Sequence, residues 1–317
     1  MFRGKVVIIG AGFVGSTTAY TLMLGGLFNE IAIIDINKAK AEGDAMDMNH
    51  GVSFVKPVDV YAADYSTCRD ADIVIITAGA AQNPGENRRD LLVRNTVILK
   101  SIVESIMKYA PDDVILLVVS NPVDVLTYIT YKLSGLPKNQ VLGSGTVLDT
   151  SRLKYMISRH TGVDARNCHT YIIGEHGDSE VAAWSVSNIA GLSMEEYAAK
   201  YRKCTREDLD VMHQDVIKSA YDVIKRKGAT YYAVALAVER IVRCIAGEEN
   251  SVLTVSSVFE GEYGIKDVAL SVPTLVGGTG VEGIYEVGFS EDELSGLKNS
   301  AQIMQNLIDN IYKEMSL

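Results

Sequence analysis

A chain of 317 residues with an even composition is too long for one hydrophobic core, so two lobes sharing an interface are expected. Forty acidic against thirty basic residues give a formal charge of −10, which argues against nucleic acid or an anionic membrane as the main partner. An anionic small molecule would have to meet specific local cations, because the field of the whole chain is screened over roughly 8 Å at physiological salt.

Short apolar runs recur along the first half: Val6 to Ile9, Ile31 to Ile34, Val58 to Tyr61, Ile73 to Thr77, Val114 to Ser120 and Val141-Leu142. Helical stretches separate them, and that alternation predicts a parallel sheet. Val114 to Val119 is apolar on both faces, as a strand covered by helices on both sides must be. The uncharged stretch from Val6 to Phe28 is no signal peptide or membrane span, since glycines at 10, 12, 15, 25 and 26 punctuate it as strand, turn and helix. The fold class is therefore α/β, an N-terminal doubly wound parallel sheet over residues 1–144 followed by a mixed α+β substrate domain over 145–317.

In that second part a long helix is expected after Asp149, strands over Thr170 to Ile173 and Val181 to Ser187, and two helices flanking Gly228. Val252 to Phe259 and Val268 to Leu275 alternate like a hairpin around Gly261 and Gly264. Ser290 and Glu293 form a capping box ahead of a helix whose apolar face carries Leu294, Leu297, Ala301, Met304, Ile308 and Ile311. The cysteines at 68, 168, 204 and 244 and the histidines at 50, 160, 169, 176 and 213 have no metal-ligand spacing, so reduced thiols, a cytoplasmic location and no metal are expected.

Gly10-Ala11-Gly12-Phe13-Val14-Gly15 is a GxGxxG between a strand and a helix. Its glycines allow a tight turn and close approach of backbone to a pyrophosphate, whose charge suits the free N–H groups of a helix start. Asp35 ends the next strand about 20 residues on, where an acid accepts hydrogen bonds from a ribose diol and repels a 2′-phosphate, favouring NAD over NADP. Ala78-Gly79 follows another strand at the edge where such sheets hold ligands. Alternatively the glycines serve only helix packing and Asp35 only caps a helix.

Past a later apolar strand lies Gly174-Glu175-His176-Gly177-Asp178. Hydride transfer to a ketone builds charge on oxygen, and histidine is the side chain best suited to deliver a proton near neutral pH. A carboxylate behind the ring would orient it, and Asp149 and Asp178 are the two candidates. Asp149 and Arg152 share a helix face at i, i+3 spacing. The loop from Gly79 to Arg89, rich in Gly and Pro, could close over a ligand. Each segment also has a plain structural reading, as a packed histidine, a capping aspartate with a surface ion pair, and a connecting loop.

Taken in order, GAGFVG with Asp35, AGAAQNPGENR, SNPVDV, LDTSR, IIGEHGDS and KGATYY resemble the lactate/malate dehydrogenase family over essentially the whole chain, and within it the bacterial lactate branch. The resemblance implies NAD as cofactor and interconversion of pyruvate and L-lactate, with a malate or other 2-hydroxy-acid dehydrogenase as the alternative and a catalytically silent NAD-binding sensor as the reading from another class. It makes His176 the proton donor and acceptor with Asp149 behind it. Arg152 then grips the substrate carboxylate, a bidentate geometry lysine cannot reproduce. Arg88, preferred over Arg89 by the GExR spacing, polarises the carbonyl; Asn121 contacts nicotinamide ribose and substrate, with a cis bond to Pro122; Thr230 lines the pocket. Malate enzymes resemble this chain but carry arginine where Gln82 stands, so the neutral residue points to a monoanion. A homo-oligomer is implied, a dimer or a homotetramer, as is activation by fructose 1,6-bisphosphate through His169 and Lys154, although arginine is usual at the latter position.

Overall fold

The computed structural model describes residues 4–80, 88–247 and 249–315, with side chains from Asp90 onward in the second stretch. The first half runs β1 (Lys5–Ile9), α1 (Phe13–Gly25), β2 (Glu30–Ile34), α2 (Lys38–His50), β3 (Asp59–Ala62), β4 (Ile73–Ile76), α3 (Arg88–Met107), β5 (Ile115–Val118), α4 (Val123–Ser134) and β6 (Val141–Gly143). These six strands are parallel and lie in the order β6-β5-β4-β1-β2-β3, the doubly wound arrangement with its crevice beyond the carboxyl ends of β1 and β4. β1 is buried along its whole length, and β4 and β5 likewise. Their alternate side chains feed two layers: Val6 and Ile8 pack with α1 and α2, whereas Val7 and Ile9 pack with α3 and α4.

The second half continues with α5 (Val147–Thr161), β7 (Cys168–His169), β8 (Ile172–Ile173), β9 (Val181–Ala182), β10 (Asn188–Ile189), β11 (Leu192–Ser193), α6 (Met194–Tyr201), α7 (Arg206–Lys227), α8 (Tyr232–Ala246), β12 (Ser251–Leu253), β13 (Ser256–Glu260), β14 (Lys266–Ser271), β15 (Thr274–Gly277), β16 (Gly280–Ile284) and α9 (Glu291–Met315). Around α5, α6 and α7 sits a separate small core of Leu153, Ile157, Ile172, Met194, Leu209 and Val216. The capping box at Ser290 and Glu293 forms as expected, and Leu297, Ala301, Met304, Ile308 and Ile311 of α9 are buried. All four cysteines are buried and unbridged. Among the described residues no helix is long and apolar enough to cross a membrane.

Three elements differ from the reading of the sequence. The expected strand Val181 to Ser187 stops at Ala182 and turns through a 3-10 segment, Trp184–Val186, because the Glu293 carboxylate takes both the backbone N–H and the hydroxyl of Ser185. The expected hairpin exists as β13 with β14, but β12 and β15 pair with each other in another sheet. Thr254 accepts from the Thr146 backbone, and Pro273 has no N–H to continue a ladder, so both strands break there. Finally, β13 pairs antiparallel with β6, so the large sheet has eight strands and extends into the second half of the chain.

Gly10 adopts φ +105°, and a Cβ on Gly15 would lie 1.8 Å from the Gly10 carbonyl oxygen. Helix and turn therefore touch through backbone alone. A Gly15→Ala variant is expected to lose about 1–3 kcal/mol of stability through overpacking, and to bind dinucleotide poorly. Thermal unfolding by circular dichroism and a nucleotide titration check this; unchanged melting and binding would refute the packing argument.

Candidate active site

The glycine loop presents an open helix start. No side chain caps α1 at Gly12, its first turn holds no acidic residue, and a Cβ at Gly12 would meet nothing within 4 Å. Uncapped N–H groups with free space in front of them fit a pyrophosphate. Asp35 accepts from the Ala11 N–H at 2.6 Å and from the Asn37 N–H at 2.7 Å. Its carboxylate thus braces the loop while standing at the end of β2, and Asn37, not Asp35, caps α2.

At the neighbouring strand ends, Ala78 and Gly79 follow β4 directly, and the Ser120 hydroxyl donates to the Ala78 carbonyl at 2.6 Å. Buried Asn95 accepts from the Ala80 N–H at 2.8 Å and donates to the Asn121 carbonyl at 3.2 Å, lacing the two loops together. Asn121 itself is exposed, and its bond to Pro122 is cis, as the resemblance implies. Thr230 sits in the short link between α7 and α8. Beside it, the Tyr231 ring stacks on Phe13 of the glycine loop with centroids 5.3 Å apart, which brings this link to the mouth of the crevice.

Asp149 lies in the first turn of α5, only 2 % exposed. One carboxylate oxygen meets Nδ1 of His176 at 2.5 Å and the other accepts from Arg152 Nη1 at 2.7 Å. Asp178, the other candidate partner, instead accepts from the Tyr221 hydroxyl at the surface. The Asp149 charge, acting against the cost of burial, raises His176 to about 9. Such a shift corresponds to a preference on the order of 3 kcal/mol for the charged ring. Burial alone would push the Asp149 carboxyl up, but His176 and Arg152 outweigh it and hold Asp149 below its ordinary value. Nδ1 is committed to the carboxylate, so Nε2 is the nitrogen left to exchange a proton with a ligand.

Two further acids stand in this group that motif reading did not single out. Asp124, in the first turn of α4 and 2 % exposed, accepts the His176 backbone N–H at 2.7 Å and the Ser256 hydroxyl at 2.5 Å. Glu180 is buried with no partner for Oε1 among the described residues, and burial together with the Asp149 charge drives its carboxyl far up, toward the neutral form. An acid inside the apolar run from Val123 to Leu126 was the available signal for Asp124, since such a position faces a helix-covered interior. Gln82 and the side chain of Arg88 lie outside the described residues; Arg88 heads α3.

Lys154, one turn past Asp149, lines a cleft of about 430 Å³ with Arg166, Arg240, Tyr155 and Tyr171. Burial holds its ammonium below the usual range. His169 is exposed on β7 and is not part of that cleft's lining.

This pairing of an open dinucleotide loop with a second, α/β portion carrying a buried ionic cluster is the layout of a two-part NAD-binding oxidoreductase. The family models agree in order and extent: residues 4–143 match the NAD binding domain of lactate/malate dehydrogenases and residues 146–315 their alpha/beta C-terminal domain. The chain belongs to the lactate/malate dehydrogenase family. It is 58% identical over 305 residues to an L-lactate dehydrogenase of Acetivibrio thermocellus, covering 96% of each chain. It is also 58% identical over 309 residues to L-lactate dehydrogenase 1 of Clostridium acetobutylicum, covering 97% of this chain and 98% of the relative. A crystal structure of a lactate dehydrogenase from a Medee basin deep-sea metagenome library superposes with TM-score 0.96 at 43% identity, covering 98% and 99% of the two chains. A minor L-lactate dehydrogenase from Enterococcus mundtii, in a ligands-bound form, does so with TM-score 0.95 at 41% identity and the same coverage.

Titration of the pair has a defined sign. The His176 value is raised, so the stability it contributes is complete below about 6.5, its ordinary value, and is lost as pH rises through about 9. Any activity that needs the charged ring should decline over the same alkaline range. In Asp149→Asn the largest cause of the shift is removed, and the alkaline limb of a pH–rate profile is expected to move down by about two units. A limb that stays in place would show that another group controls it.

Proposed function

We propose that the protein reduces pyruvate to L-lactate, and runs the reverse reaction, with NAD(H) as the redox cofactor. The observation that carries this reading is the Asp149 carboxylate shared between the His176 ring and the Arg152 guanidinium, in a chain whose full-length relatives are named L-lactate dehydrogenase. NADH, when bound, supplies the hydride.

His176, charged near neutral pH, gives its Nε2 proton to the carbonyl oxygen and takes it back in the reverse direction. Asp149 keeps the ring in the tautomer and orientation this requires. Arg152 holds the substrate carboxylate through two parallel hydrogen bonds. Arg88 stabilises the charge that develops on the carbonyl oxygen. Asn121 and Thr230 border the substrate and the nicotinamide ribose. Gly10, Gly12 and Gly15 cradle the pyrophosphate, Ala78 and Gly79 line the crevice, and Asp35 receives the adenosine ribose and disfavours a 2′-phosphate. Gln82 sets the substrate: enclosing the second carboxylate of oxaloacetate without a cation would cost several kcal/mol, on the order expected for an unpaired buried charge.

Assembly as a homotetramer and activation by fructose 1,6-bisphosphate complete the reading. The cleft with Lys154, Arg166 and Arg240 supports an anionic effector close to α5. His169, on the adjoining strand, would add a ring nitrogen able to hydrogen-bond the effector where it reaches from the cleft toward β7.

Steady-state NADH oxidation with pyruvate, oxaloacetate and a branched 2-oxo acid, each with and without fructose 1,6-bisphosphate, tests the substrate and the effector, and the molar mass in solution tests the assembly. Pyruvate should be the best substrate, and the effector should lower its KM. Gln82→Arg should move preference toward oxaloacetate, and His176→Ala should lower turnover by about 10²-fold or more while sparing NADH binding. Consumption of NADH with none of the three acids would leave the silent nucleotide-binding sensor as the better description.

A further inference from the structure

We infer that Asp124 is a positioning residue for His176, clamping the backbone of the histidine loop to the helix that begins at the Asn121-Pro122 bond. The clamp has three members. Asp124 Oδ2 accepts from the backbone N–H of His176 at 2.7 Å and Oδ1 accepts from the Ser256 hydroxyl at 2.5 Å, with Asp124 and Ser256 both buried where α4, β13 and the loop after β8 meet. Asp149 can orient only the ring, because it touches Nδ1. Rotation of the ring about a fixed backbone is thereby controlled, but the backbone itself needs its own anchor.

Asp124 supplies that anchor from the other half of the chain. It stands three residues after Asn121, which Asn95 in turn ties to the loop after β4. The expected cofactor-facing loops and the proton-carrying ring are therefore registered through one side chain. An error of about 1 Å in that register is enough to cost a hundredfold in rate, so the clamp bears on chemistry without touching substrate.

The clamp also has a pH range. Burial raises the Asp124 carboxyl to about 6, against the opposing pull of the Ser256 and His176 hydrogen bonds. Facing it are His176 and Glu175 from the loop after β8 and Ser256 from β13; Asp149 and Arg152 on α5, with Glu180, face the ring on its other side. Protonation takes the charge out of the carboxylate, so the His176 N–H meets a neutral acceptor and the Ser256 bond can reverse, the acid donating to the hydroxyl oxygen. Below about pH 6 the clamp loses its charge-assisted strength while His176 stays charged, so pyruvate reduction acquires an acid limb that proton supply alone would not produce.

This inference rests on the pyruvate reading above, and its test has a readout that does not. In the full-length protein, Asp124→Asn should lower kcat at least tenfold, leave the NADH Kd within about twofold, and abolish the acid limb, since an amide does not titrate there. Ser256→Ala removes one bond that holds the carboxyl down, and should displace the acid limb upward by about one unit. Independently of turnover, the ring protons of His176 followed by NMR should titrate at lower pH in Asp124→Asn, because an acid that favours the charged ring is gone. Wild-type kcat with an unmoved acid limb in Asp124→Asn overturns the proposal, as does a lowered melting temperature alone. If Asp124→Asn does not fold, an unmoved limb in Ser256→Ala overturns it. Failure of the wild type to reduce pyruvate would sink the reading of function, and the NMR titration would still decide the clamp.

Discussion

Asp149 keeps a negative charge at a place where water reaches almost none of it, and it does so because two cations share its two oxygens. Removing the carboxylate would leave two like charges facing each other with nothing between them, which in a protein interior costs several kcal/mol, on the order that no surface ion pair returns. Everything around the site is arranged to hold this trio together. α5 delivers Asp149 and Arg152 from adjacent turns, β8 ends where the His176 loop begins, and burial beside Asp149 pushes the Glu180 carboxyl up, toward the neutral form. Histidine thereby becomes a strong enough base to stay charged near neutral pH and still lose its proton to a forming alkoxide.

The dinucleotide end depends on an opposite principle, the absence of side chains. Gly10 turns through a backbone region open to it, Gly15 lets α1 touch the turn, and Gly12 leaves space in front of an uncapped helix. Asp35 fastens the loop by taking the Ala11 N–H, so the same carboxylate that would receive a ribose also stiffens the pyrophosphate cradle. Rigid placement at both ends is what allows a hydride donor and a proton donor to be presented to one small molecule.

Features set by local backbone demands were readable from residues alone. The glycine loop, the doubly wound order, the i, i+3 pair on α5 and the capping box of α9 all follow from spacing, and each lies within a residue or two of its expected bounds. What escaped was decided by distant partners. Val181 to Ser187 alternates like a strand until Glu293, over a hundred residues away, captures Ser185. The split of the C-terminal strands turns on Thr254 meeting Thr146, and the choice between Asp149 and Asp178 as the partner of His176 needed three dimensions. Asp124 was hidden in plain view within SNPVDV because its two partners lie 52 and 132 residues onward.

Pairing of β13 with β6 joins the two family-model segments through main-chain hydrogen bonds, and the core that holds Val7 also holds Phe259 and Leu297. Severing the chain near residue 145 would leave the first piece with a naked sheet margin and half an interior, a template for intermolecular strand addition. The two segments should therefore fold as one cooperative unit, since each completes the sheet margin and the interior of the other.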